Sequence, residues 1–515
     1  MRGRSLFLFL TVWANVSGVA ACSGESFTVT CEDGGCVQEE DADTSTSDAG
    51  HGGDAGPCDE TKGPDEEPCT IDERFAVFVS PRGNDSDGRG DRETPFRTLA
   101  RAVEEAVAAG KRVYACEDGT GYQETLVLTA DQDGLVVYGG FECDGWTYAR
   151  GKALLRPAVP DVPLRIDGLR RGLYWRDFVI RAANATEAGA SSIGVLVNAS
   201  SGVVFESVDV FAGKGKAGAN GTSVTVPAAA GTEGNAGSRA CTSDPNPGGA
   251  AANLSCGGTA TTGGRGGDGG RGINSAGNGN PGLPTSMGGG QEGFGAGSSR
   301  CQPGWDGASG AAGEPGAGGN GIGTLSATGW TGVDGQPGSP GSPGQGGGGG
   351  GGAKAPAVCE GMDTPTGASG GSGGAGGCGG MGGGGGKAGG SSIALASIDS
   401  EVTLRDCTLA ASDGGRGGKG AAGQKGGVGG SGGIGGQGAN GSSAACSGGN
   451  GGKGGDGGPG GGGAGGHSIG VAYVGTKPNR SGGSITLGTP GVGGAPGSGT
   501  DGRGVDGVKA EELEF

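Results

Sequence analysis

Aromatic residues make up only 4% of this 515-residue chain, so large apolar anchors are scarce and a side-chain core cannot run along all of it. Histidine is nearly absent: His51 and His467 are the two. A Ser-His-Asp triad has almost nothing to draw on. Zinc is equally short of ligands, because no Cys-x-x-Cys occurs either. No run of 18 apolar residues exists, which leaves no segment for a bilayer-spanning helix. Basic patches are missing too: 36 Lys+Arg face 54 Asp+Glu, a net charge of −18, which disfavours nucleic acid as a partner.

What the chain has in excess is glycine, 135 residues, of which 26 lie in 1–212 and 109 in 213–515. Only the first part can build an ordinary core. The negative charge is also localised. Residues 23–73 hold 16 acids and one base, Lys62. Such a run repels itself and stays solvated, so 22–73 reads as an acidic flexible tether.

The amino terminus has the pattern of an address. Met1-Arg-Gly-Arg4 is basic, Leu6 to Val12 is apolar, and Val19-Ala20-Ala21 precedes Cys22. This predicts a signal peptide over 1–21. The last four residues resemble the bacterial lipobox. That resemblance implies acylation of Cys22, anchoring to the lipid bilayer and an outer-membrane or cell-surface location. A plain signal peptide is the alternative. An exported chain meets an oxidising compartment, so disulfides are expected among the other 13 cysteines, with at least one left over. Candidate pairs are Cys31–Cys36, Cys58–Cys69, Cys241–Cys256 and Cys359–Cys378.

From Arg74 the texture changes. Phe75–Ser80 reads as a strand. Phe96, Leu99, Val103 and Val107 have helical spacing after Pro95, and Gly110 stops the run. Short strand-like runs follow at Arg112–Cys116, Thr125–Thr129, Leu135–Phe141, Ala153–Arg156, Pro163–Ile166 and Leu173–Ala182, parted by Gly, Asp and Pro turns. One helix followed by many short strands predicts a β-solenoid with a capping helix over 74–212. Phe78-Val-Ser-Pro with Gly83-Asn-Asp85, Pro95-Phe96 with Thr98-Leu99 and Ala102, and Tyr138-Gly-Gly-Phe141 with Trp146 resemble the opening of pectin-lyase-like right-handed parallel β-helix proteins, in particular secreted bacterial lipoproteins. The resemblance covers 74–212. It implies the fold and says little of activity. Cys116 and Cys143 flank the block and form a further candidate pair, and Trp146 is expected to pack against the helix.

Three look-alike units begin at Ser192-Ile-Gly-Val195, Ser392-Ile-Ala-Leu395 and Ser468-Ile-Gly-Val471. Each precedes a glycine-rich tract. The chain thus divides into a 74–212 β-helix, insertion 213–390, rung 391–412, insertion 413–466, rung 467–490 and a Gly-rich tail 491–515. The simplest topology is one continuous solenoid that emits its excursions from one corner. Within the tracts, Gly recurs at every third position, as from Gly414 to Gly441. A period of three is that of an extended threefold chain. A bundle of polyglycine II-like strands satisfies it, and disorder is the alternative. Collagen requires far more proline than 24 in 515.

Gly-rich text also produces empty motifs. Gly370-Gly-Ser372-Gly-Gly374 lacks the strand-to-helix setting of a nucleophile elbow. Gly263–Asp268 and Gly451–Asp456 lack the large apolar residue of a calcium roll. Asn84, Asp85, Asp87 and Asp91 read as an Asx-type turn. Pectin-lyase-like relatives include lyases and hydrolases of polysaccharides, for which Arg165, Asp167, Arg176, Asp177, Arg181, Glu206 and Asp209 are the available groups. Their spacing is that of outward strand positions. Trp146, Trp175, Trp305 and Trp330 could stack on sugars. No catalytic residue, metal site or cofactor is assigned. The expectation is an all-β, non-enzymatic, lipid-anchored surface protein with a β-helix scaffold displaying Gly-rich arms, adhesive or structural, with polysaccharide or another surface component as partner. A carbohydrate-active β-helix and a collagen-like stalk are the alternatives.

Overall fold

In the computed structural model, residues 58–515 are described. Cys22, Cys31 and Cys36 lie outside them, as do the signal and most of the tether. Strands β1 (Ala76–Val79), β2 (Arg112–Glu117), β3 (Leu126–Leu128), β4 (Leu135–Glu142), β5 (Ala153–Leu155), β6 (Leu164–Asp167), β7 (Leu173–Arg176), β8 (Phe178–Arg181), β9 (Ser192–Asn198), β10 (Val203–Glu206) and β11 (Asp209–Phe211) precede the first long tract. Two hairpins lie inside that tract, β12 (Asn253–Cys256) with β13 (Thr259–Thr262), and β14 (Thr324–Ser326) with β15 (Gly329–Thr331). Then come β16 (Ser392–Ile398), β17 (Val402–Arg405), β18 (Thr408–Ala411), β19 (Ser468–Val474), β20 (Asn479–Ser481), β21 (Ser484–Leu487) and β22 (Lys509–Glu514).

All strands outside the hairpins pair in parallel and form three sheets. Sheet one is β1-β2-β4-β7-β10-β17-β20, sheet two β5-β8-β11-β18-β21, and sheet three β3-β6-β9-β16-β19-β22. From β6 onward the chain visits sheets three, one and two in that order, over and over. The protein is thus all-β with stacked parallel sheets. The look-alike units are the reason the stack stays in register: Ser192, Ser392 and Ser468 are paired neighbours, as are Ile193, Ile393 and Ile469. The turn from sheet one to sheet two begins with a left-handed residue, Asp177, Ser207, Asp406 or Gly482 (φ 56°, 52°, 50° and 68°). That residue splits the expected run Leu173–Ala182 into β7 and β8. Alternation then sends Trp175, Phe205 and Leu404 inward in one column, and Val195, Leu395 and Val471 in another.

Helix α1 (Leu99–Ala109) closes the first end of the stack. Thr98 Oγ1 accepts from Arg101 N, Glu124 accepts from Leu99 N at 2.7 Å, and Gly110 ends the helix at φ 65°. Leu99, Ala102, Val103 and Ala106 are buried against the core. Val107, expected inward, is 40% exposed, because that stripe has already turned away by the last turn. Trp146 packs on Phe78 at 4.8 Å and on Phe141 rather than on the helix. The far end closes differently. Inward Leu404 is followed in the column by Arg480, and inward Val471 by Glu512. These two charges bond at 3.0 Å, and Lys477 joins them. The apolar column therefore ends in an ion cluster.

All three long excursions leave sheet two and return to sheet three, after β11, β18 and β21. They form one laterally bonded lattice. In tract 366–390, Gly371, Gly374 and Gly377 donate to the carbonyls of Cys446, Gly449 and Gly452. Ser372, Ala375 and Cys378 donate to Asn235, Thr232 and Ala229. Gly373 donates to Gly264. Every third amide thus points the same way, and successive amides bond to different tracts. Tracts 333–353 and 413–437 complete the ring by donating to carbonyls of 366–390, as Gly344 does to Gly377 and Gly430 to Ala375. Residues 366–378 are consequently all buried without large side chains. A Cβ at Gly376 or Gly382 would collide with the carbonyl oxygen of Gly344 or Gly338, so the period of three is a steric requirement.

Several expectations need correction. Residues 58–73 are not a free tether: Asp65 bonds Arg176 at 3.0 Å and Arg150 at 3.1 Å, and the Lys62 carbonyl accepts from Arg112 at 2.6 Å. Asp65 is thereby paired with arginines 85 and 111 residues away, which a count of acids along the chain does not register. The tail 491–515 ends in β22, paired with β19. Cys58–Cys69 and Cys116–Cys143 are bonded. Cys241 is joined to Cys359 and Cys256 to Cys378, not Cys241 to Cys256 or Cys359 to Cys378, and Cys301 is joined to Cys446. The lattice brings together tracts more than 100 residues apart, so near neighbours in sequence are poor guides. Cys407, buried in the core, has no disulfide partner among the described residues.

Candidate functional site on the outer face of sheet one

Alternation in β7 places Tyr174 and Arg176 outward while Leu173 and Trp175 point in. Register then stacks an outward column of Phe78, Tyr114, Tyr138, Arg176, Glu206 and Arg405 across six strands. Tyr138 lies 5.9 Å from Tyr114, 5.5 Å from Tyr174 and 6.5 Å from Tyr148, ring to ring. The segment 58–71 lies over one side. It leaves a cleft of about 350 Å³ lined by Lys62, Asp65, Arg112, Tyr138, Tyr174 and Arg176.

Arg176 is the electrostatic centre. It meets Asp65 at 3.0 Å, Asp177 at 3.5 Å and Glu206 at 3.5 Å. Burial raises the pKa of Asp177 above the usual carboxylate range, against the bond from Tyr148 and the charge of Arg176. Burial also pushes the Tyr148 hydroxyl well up, helped by that bond to Asp177, and burial does the same to Tyr138. Asp65, Asp177 and Glu206 are thus engaged with arginine or tyrosine, while Glu66, also in the lining, is in no ion pair among the described residues. The cleft presents tyrosine rings beside guanidinium groups that are already bonded, Arg176 to carboxylates and Arg112 to the Lys62 carbonyl.

Of the outward charges flagged in the sequence, only Arg176, Asp177 and Glu206 meet here. Arg165 and Asp167 are on sheet three, bonded to Asp161 and Asn198. Arg181 and Asp209 are on sheet two, against the Phe211 ring and Lys152. Among the tryptophans of the described residues, Trp175 fills the core, Trp330 covers Ile393 and Ile469 on the outside of sheet three, Trp146 is buried and Trp305 is exposed. Ser372 is buried in the lattice, its Oγ accepting from Asn235 N at 2.7 Å. Asp268 and Asp456 accept from Gly248 and Gly426. Asn84 accepts from Ser86 N within the expected Asx-type turn, whereas Asp85 reaches 12 and 13 residues along the chain to accept from Arg97 N and Thr98 N at the start of helix α1. No cluster of three or more metal-ligating side chains occurs among the described residues. Asp65, Tyr148 and Tyr174 were not singled out from the sequence. For Tyr174 the period-two pattern of β7 carries the signal; for Asp65 nothing local does.

Comparison with family models, curated proteins and solved structures yields no match to this chain.

Proposed function

We propose that this chain is an exported cell-envelope or surface protein, anchored through acylated Cys22, in which a right-handed parallel β-helix of the pectin-lyase-like kind carries a polyglycine II-like arm. The cyclic order of the three sheets supports the β-helix, and parallel crossovers are right-handed in nearly all proteins. The observation that carries the role is the shared lattice. The excursions leave one corner and bond to one another within a single chain; two disulfides lie inside the first excursion and a third joins it to the second. A rod so built holds its tip away from its base, as display, adhesion or wall structure needs, and favours the single-chain bundle over a three-chain collagen-like stalk. Tract 413–437 alone spans about 75 Å at roughly 3.1 Å per residue. Labelled palmitate fed to expressing bacteria should enter wild type and not Cys22→Ala; equal labelling of both would remove the anchor. The Tyr138–Tyr174–Arg176 cleft favours a second reading, a carbohydrate-active β-helix. Incubating purified protein with polyuronates and Ca²⁺, and following absorbance of new unsaturated ends, separates the two.

A further inference from the structure

A cleft of about 860 Å³ lies at the distal end of the lattice. Three chain reversals meet there: 297–301, 354–366 and 439–445. The Cys301–Cys446 disulfide forms part of its wall. Its lining includes Arg300 and Lys354, the hydroxyls of Ser298, Ser299, Ser442 and Ser443, and no acidic residue. Among the described residues, Arg300 and Lys354 are in no ion pair, whereas Arg265, Arg271, Lys387 and Lys425 elsewhere in the lattice are paired with aspartates. The backbone amides of 298–301, 354–355 and 443–444 have no acceptor among the described residues, as is true of other exposed amides along the outer tracts.

We infer that this distal cleft binds an anionic, hydroxyl-rich ligand, a sulfated or phosphorylated oligosaccharide. Two unpaired cations in a chain of net charge −18 select a negative group. Ser442 Oγ is engaged with the Ala439 backbone, and the unbonded amides with the hydroxyls of Ser298, Ser299 and Ser443 match the alternating donors and acceptors of a sugar ring. The volume falls in the range of small-molecule sites and exceeds what a lone phosphate fills. The disulfide holds two of the reversals in place, so little loop order is lost on binding. This inference concerns the tip of the arm and stands apart from the anchor and from the sheet-one cleft.

The test is calorimetric titration of the full mature chain with a heparin tetrasaccharide, a phosphorylated mannose oligosaccharide, maltotetraose and inorganic sulfate. The expected result is binding of one or both charged oligosaccharides, weakened at least about tenfold by Arg300→Gln or Lys354→Gln, about 1.4 kcal/mol each. Arg416→Gln, on the exposed flank of the lattice, should leave affinity unchanged. Binding of maltotetraose as tight as that of the charged sugars overturns the inference, as does affinity indifferent to both cleft variants or an equal loss in Arg416→Gln. Binding of sulfate alone, or of neither charged sugar, overturns it as well. Thermal unfolding of each variant, matched to wild type, confirms that the loss belongs to the cleft.

Discussion

His467 joins three parts of the chain that are distant in sequence, and its titration should be visible in stability. It is buried at the start of β19. Its Nδ1 accepts from Val508 N at 2.8 Å, just before β22, and its Nε2 lies 2.7 Å from the Ile322 carbonyl, just before β14. An Nδ1 that accepts fixes the neutral tautomer with hydrogen on Nε2. The ring sits against Trp330 at 5.0 Å and Phe515 at 6.0 Å. Burial lowers its pKa, with the Ile322 carbonyl opposing, and no charged group contributes. A depressed histidine pKa means the folded state binds fewer protons than the unfolded one. Stability is therefore full above the unfolded value of about 6.5 and falls as pH drops through it. Protonation also turns Nδ1 into a donor facing the Val508 amide. Loss of that bond leaves a buried donor unpaired, a cost of about 1–3 kcal/mol. His467→Phe keeps the aromatic packing and removes both bonds. It should lose about that much stability at pH 7.5 and show a flatter stability profile between pH 7.5 and 5.5 than wild type. Denaturant midpoints across that range, with amide exchange at Val508 as the local probe, make the measurement. The reasoning fails if the two proteins lose stability in parallel, since His51 is common to both.

Gly376→Ala should destabilise the lattice by about 1–3 kcal/mol, because the methyl meets the Gly344 backbone and outweighs the gain of roughly 0.4–1 kcal/mol from a stiffer unfolded chain. Gly151→Ala, which meets nothing within 4 Å, should be neutral or stabilising; thermal melts of both decide it. Replacing Arg480 and Glu512 together by Leu would continue the apolar columns to an open end whose strand edges are unpaired. Sedimentation should then show concentration-dependent self-association absent in wild type; a double variant that stays monomeric argues that the ion cluster does not guard that end.

Legibility followed the range of the interactions. The three Ser-Ile units announced their own register, since like residues stack on like. The helix, with Thr98 and Gly110 at its ends, was readable from local signals, and only its stripe was placed one residue too far. The turn at Asp177 was missed because a non-glycine left-handed residue leaves no compositional mark. The acids of 58–73 were read as solvated, whereas Asp65 finds Arg176, 111 residues away. Near-neighbour pairing of the lattice cysteines fails because Cys256 reaches Cys378, 122 residues along the chain. Of the cleft on sheet one, Arg176 and Glu206 were visible as outward charges, and the tyrosines that surround them became a site only through cross-strand neighbours.

Sequence by itself determined the two periodicities, of two in the strands and three in the glycine tracts, because each states where a side chain can and cannot be placed along its own chain. Tertiary structure alone decided which tract lies beside which, which cysteines meet and where the clefts open. Glycine has no side chain to specify a partner, so the lattice is assigned by backbone hydrogen bonds that any glycine tract could make, and only the sheets at its base and the disulfides along it select one arrangement.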